Sequence, residues 1–108
     1  MPDAAWKQME RAVAALIGGR RLPASSDDTV DCEGPRFLAQ AKLVKKMSLE
    51  EITGLAEAIA QEATKRGKLG VVGLKVRRGA GVKSPVLMVM TDETFKTLIG
   101  YYLERDGS

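Results

Sequence analysis

Residues 28–44 read DTVDCEGPRFLAQAKLV, and how this stretch folds decides the architecture. Val30 and Cys32 alternate with Asp31 and Glu33, the pattern of a half-buried strand over 28–33. Gly34-Pro35 is a turn signal. Residues 36–44 alternate again and complete a hairpin. Phe37, Ala39, Ala41 and Leu43 then fall on one face, and Leu38, Gln40 and Lys42 on the other.

Downstream, Ser48 and Glu51 make a capping box ahead of a helix over 49–66. Its apolar stripe is Leu49, Ile52, Leu55, Ala56, Ile59 and Ala63, and Gly67 ends it. Residues 69–77, LGVVGLKVR, read as an apolar strand, and RGAGVKS at 78–84 as a glycine-rich basic loop. PVLMVM at 85–90 is apolar on both faces, which predicts a central strand with Met88 and Met90 in the core. Thr91 or Asp92 caps a last helix, with Phe95, Leu98, Ile99 and Tyr102 expected on its buried face. Upstream, Trp6, Met9, Val13, Leu16 and Ile17 recur at helical spacing over 3–17, which places Trp6 in the core. Gly18-Gly19 stops that helix, and RRLPASSD at 20–27 reads as a loop with room for a short strand at its start. The expected order is α-β-β-α-β-β-α: one small α/β domain over residues 1–108, with a mixed central sheet flanked by helices.

Composition narrows the chemistry. The chain has 108 residues, one cysteine and no histidine. Ser-His-Asp and Cys-His catalysis are excluded, as is any histidine-ligated zinc site. What remains for a metal is hard oxygen, which suits Mg²⁺, Mn²⁺ or Ca²⁺. Cys32 is expected as a small buried hydrophobe in a reducing compartment, consistent with a cytoplasmic protein. No run approaches the ~18 apolar residues of a membrane span. The first 19 residues, with early acids and bases, do not read as a signal peptide.

Net charge is +3, but unevenly spread. Residues 63–91 carry 7 bases and no acid, whereas residues 1–62 carry 8 bases and 10 acids. An acid-free basic block is a candidate polyanion footprint.

Three features bear on chemistry. Glu10 sits at the edge of the first helix's apolar stripe, and Asp31 sits inside a strand, where aspartate is disfavoured. Gln40 and Lys42 share a face of the paired strand, which the short turn brings beside Asp31. Carboxylate oxygens hold a divalent cation, which polarises a phosphodiester and acidifies water. The backbone carbonyl of Ala41 offers a further oxygen ligand. A neighbouring lysine steadies charge developing on phosphate.

The pattern W-K-x-x-E-R-x-V-A, G-G-R-R-x-P-x-S, V-D-C and R-F-L-A-Q-A-K, spread over residues 6–90, resembles the PD-(D/E)XK nuclease superfamily. More narrowly, it is similar to small Holliday-junction-resolvase-like nucleases of phages and archaea. The resemblance implies a restriction-endonuclease-like core and a Mg²⁺- or Mn²⁺-dependent endonuclease acting as a homodimer on branched DNA. Residue by residue, it implies catalytic Glu10, Asp31, Gln40 and Lys42, and a metal held by Asp31, Gln40, Ala41 and Glu10. Two departures stand out: Val30 replaces the proline before the aspartate, and Gln40 replaces an acid, for which Glu33 is the candidate substitute. Arg20, Arg21, Ser25, Ser26, Lys45, Lys46, Arg77, Arg78 and Lys83 are then candidates for nucleic-acid contacts. Two other readings stay open on the sequence. One is a nucleic-acid-binding module on the same fold without catalysis. The other is a regulatory domain whose basic block meets an acidic protein.

Overall fold

A computed structural model describes residues 5–23, 29–79 and 81–105. The order is α1 (Ala5–Leu16), β1 (Arg20–Arg21), β2 (Cys32–Glu33), β3 (Phe37–Val44), α2 (Leu49–Lys65), β4 (Leu69–Val76), β5 (Leu87–Val89) and α3 (Asp92–Arg105). The expected α/β class with a mixed sheet and three helices is present. The expected order needs one correction, because Arg20–Arg21 forms a short strand. The sheet runs β1-β2-β3-β4-β5. Pairing is antiparallel from β1 to β3 and again between β4 and β5. Only β3 and β4 are parallel, with α2 as their crossover.

The hairpin alternation places the core as expected on β3. Ala39 packs with Met9, Val13, Ala14 and Val71 under α1, while Leu38 packs with Ala56, Ile59 and Val72 under α2. On β2 the alternation fails. Cys32 lies in the α1 core but Val30 in the α2 core. The pairing Cys32↔Ala39 would set Asp31 opposite Gln40, yet the Asp31 N–H donates to Ala39 O at 2.9 Å. The ladder slips by one residue there, as at a bulge, and Val30 turns to the other face. Regular β2 pairing is thereby cut to two residues.

Two glycines let helices close on β4 from both sides. A Cβ on Gly70 would lie 2.3 Å from Ile59 O of α2, and one on Gly73 would lie 2.4 Å from Val13 Cγ2 of α1. The capping box of α2 is formed: Ser48 Oγ accepts from Glu51 N–H at 3.1 Å.

Several expectations about burial are corrected. PVLMVM does not build a central strand: β5 is an edge strand of three residues and Leu87 is exposed. The residues expected on the buried face of α3 mostly face out, with Phe95 53 % and Tyr102 61 % exposed, because the helix touches the sheet only slightly, at β4. Among its described residues only Thr94 is buried. Trp6 is not core either; it is 49 % exposed on the first turn of α1. Leu16 and Leu49, at helix ends, are exposed as well.

Candidate active site

The topology gathers the chemistry at one end of the sheet. Parallel β3 and β4 both finish there, at Val44 and Val76. β2 begins there, and β1 runs toward it. α1 runs the opposite way, because its C-terminal end meets the hairpin turn, where Ile17 O approaches Gly34. Its N-terminal half therefore lies at the same end as Asp31 and Lys42.

Asp31 sits where β2 parts from β3. Its Oδ2 accepts from Ala41 N–H at 2.8 Å, taking the ladder position that a backbone carbonyl would otherwise fill. This explains an aspartate in a strand: it caps the point where pairing stops. Its carboxyl is raised above the ordinary 3.8, first by burial and also by the nearby charge of Glu10. The Ala41 N–H, Lys42 and Arg21 pull the other way.

Glu10 is reached by Arg21, whose Nε and Nη2 lie 2.9 and 2.8 Å from Oε1. The Cys32 thiol donates to the Glu10 backbone carbonyl at 3.3 Å, which ties α1 to β2. Burial, with Asp31 and Glu10 adding to it, pushes that thiol up to about 11, so it stays protonated at neutral pH and is no nucleophile.

Each carboxylate keeps one oxygen open. Among the described residues nothing donates to Glu10 Oε2 or Asp31 Oδ1. Two neighbouring acids, each with a spare oxygen among the described residues, are a donor set suited to a hard cation. No group of three or more acid, cysteine or histidine side chains placed to hold a metal ion occurs among the described residues.

The other candidate residues divide. Gln40 is buried at 6 % and shares with Leu38 and partly buried Lys42 the face turned to α2. Ala41 lies on the α1 face, its N–H on Asp31. Glu33 is held at the hairpin end by Lys68, whose Nζ is 2.8 Å from Oε2 and 2.9 Å from Gly34 O. That hydrogen bond keeps the Glu33 carboxyl below its ordinary value. The structure does not bring Glu33 to Asp31.

Among the basic candidates, Lys45, Lys46, Arg77 and Arg78 follow the ends of β3 and β4 and are exposed. Arg77, Arg78 and Lys83 line a groove of about 670 Å³ between α1 and the β4–β5 loop. Lys75 and Gln8 line it too and were not anticipated. The signal for Lys75 was its place in the acid-free block, two residues before Arg77 on the face of Leu43. Arg20 is exposed and adds to the field around Glu33 rather than Asp31. Ser25 and Ser26 lie outside the described residues.

No family model matches this sequence, and no curated protein and no solved structure matches it either. No helix among the described residues is long and apolar enough to cross a membrane.

Proposed function

We propose that the chain is a divalent-metal-dependent endonuclease that hydrolyses phosphodiester bonds of DNA, in the manner of a Holliday junction resolvase. The observation that carries this reading is the pair Glu10 and Asp31, each with a spare oxygen, at the sheet end that also holds Lys42 and Arg21. Antiparallel β1-β2-β3 followed by a helical crossover to parallel β4 supports it, since this is the arrangement expected of a restriction-endonuclease-like core. Glu10 and Asp31 would hold Mg²⁺ or Mn²⁺, with the backbone carbonyl of Ala41 as a further oxygen. The cation, when bound, supplies acidification of water and polarisation of phosphate. Lys42 supplies a positive charge toward the phosphate as charge develops on it, a type of contribution worth roughly 10²–10³-fold in rate. Arg21 orients Glu10 through two contacts on Oε1 and leaves Oε2 for the metal. The cationic strand ends and groove position the backbone of the polyanion. Symmetric cuts in a four-way junction need two such sites, hence a homodimer.

The test is cleavage of an end-labelled four-way junction and a matched duplex in Mg²⁺, Mn²⁺ or EDTA. Wild type is expected to cut the junction in either metal and not in EDTA. Lys42→Ala is expected to lose about 10²–10³-fold in rate while still binding DNA. Full activity in Lys42→Ala would remove it from the site.

Gln40 favours a second reading. With glutamine there, only two acids remain at the site, and a module that binds DNA without cutting it needs no third. Retarded DNA with no cutting in either metal selects that reading.

A further inference from the structure

The chain's single tryptophan is half exposed on the first turn of α1, one helical turn before Glu10. Trp6 lies four residues before Glu10 on α1, about 6 Å along the helix axis. The Arg21 guanidinium that grips Glu10 lies 5.9 Å from the Trp6 ring centroid, and the Lys7 ammonium lies 5.5 Å from it. The ring is thus held by a cation that is itself fixed to a site carboxylate. Both cations lie over the ring, so a base that stacks on it takes the place of one of them.

We propose that Trp6 is a stacking platform for an unpaired nucleobase, one or two nucleotides from the scissile phosphate. Its position relative to the cut rests on the nuclease reading above; the stacking itself does not. The reach of about 6 Å from Trp6 to Glu10 is under two base steps of roughly 3.4 Å. A tryptophan face accepts any base, so the platform selects structure rather than sequence. Bases in a continuous duplex are already stacked on their neighbours and cannot reach an outside ring. Bases at a branch point or in a single strand can. The substrate class is therefore DNA with unstacked bases next to the cleavage position. Arg21 fixes the ring's orientation, and Lys7, on a flexible stem, exchanges the ring for phosphate when a base arrives.

The test uses the fluorescence of Trp6, which the absence of any other tryptophan makes unambiguous. The full chain is titrated in EDTA with a single-stranded oligonucleotide, a four-way junction and a blunt-ended linear duplex, while the anisotropy of a label on the DNA reports binding independently. Saturable quenching by the single strand and the junction but not by the linear duplex is expected. Trp6→Ala should weaken single-strand binding roughly 5- to 150-fold, the equivalent of ~1–3 kcal/mol for one stacked base, and leave duplex binding unchanged. Trp6→Phe should recover part of the loss, and both variants should melt as wild type does. DNA binding with unquenched Trp6 and undiminished affinity in Trp6→Ala would overturn the platform and leave the nuclease reading standing. Quenching and weakened binding, with no metal-dependent cutting by wild type, would uphold the platform and sink the nuclease. No binding of any DNA at low salt would overturn both.

Discussion

Asp31 shows what one residue at the site costs the fold. Burial and Glu10 raise its carboxyl above 3.8. Its charged form is therefore less favourable in the folded chain than in the unfolded one. Between 3.8 and the raised value the folded state binds more protons than the unfolded state, so stability falls as pH rises through that window. Above the window the penalty is constant; below it the penalty is absent. Asn in place of Asp31 keeps an acceptor for the Ala41 N–H and removes the charge. Asp31→Asn should therefore melt above wild type at pH 7, with the gap closing as pH falls through that window and gone below 3.8, read by thermal scans at a series of pH values. A lower melting temperature at pH 7 would mean that Arg21 and Lys42 outweigh burial. The same variant should have no metal-dependent cleavage, so stability and activity move in opposite directions, as they do where a site keeps a charge the fold would not choose.

At the scale of elements, what the sequence made legible was whatever depended on local periodicity. The β3 alternation and the α2 capping box follow from patterns a few residues wide, and each is present. What was missed depended on position in the sheet. PVLMVM looks central because both its faces are apolar, but nothing local tells an edge strand from an inner one. The outward apolar residues of α3 follow from how little of the sheet that helix covers. The slip at Asp31 was also invisible, since one residue of register reverses faces without altering composition. Gly70 and Gly73 read as ordinary strand glycines, yet each marks a helix closing on β4. Their costs should differ in kind. Gly70→Ala drives a Cβ into the backbone at Ile59 and should lose stability at the upper end of about 1–3 kcal/mol. Gly73→Ala meets only the Val13 side chain, so Val13→Ala in the same chain should recover part of its loss. Denaturant midpoints of the three variants decide it. Equal losses with no recovery would show that α1 cannot approach β4 any differently.

At the scale of the molecule, the chain separates its charges by the ends of the sheet. The hairpin end closes acids and bases on one another, as Glu33 with Lys68 shows. The opposite end leaves cations exposed after both parallel strands and around the groove beside α1. That separation arises from topology. β3 and β4 are parallel, so their basic trailing residues fall together, and the N-terminal half of α1 lies at the same end, with Gln8 and Ala12 on the groove they line. The acid-free block in the sequence announced the cations, but the sheet direction decides at which end of the molecule they gather. If this end receives a phosphate backbone, its affinity must fall with salt by counterion release, with a slope of about 0.9 per neutralised phosphate on duplex DNA. Arg77→Ala with Arg78→Ala should lower that slope by about 1–2 and weaken junction and plain duplex alike, because phosphate contacts carry no information about structure. Trp6→Ala should leave the slope unchanged while weakening only the DNA that offers an unstacked base. Log affinity against log salt for wild type and both variants separates the two contributions. A slope unaltered by removing Arg77 and Arg78 would move the polyanion off the groove and onto the strand end marked by Lys45 and Lys46.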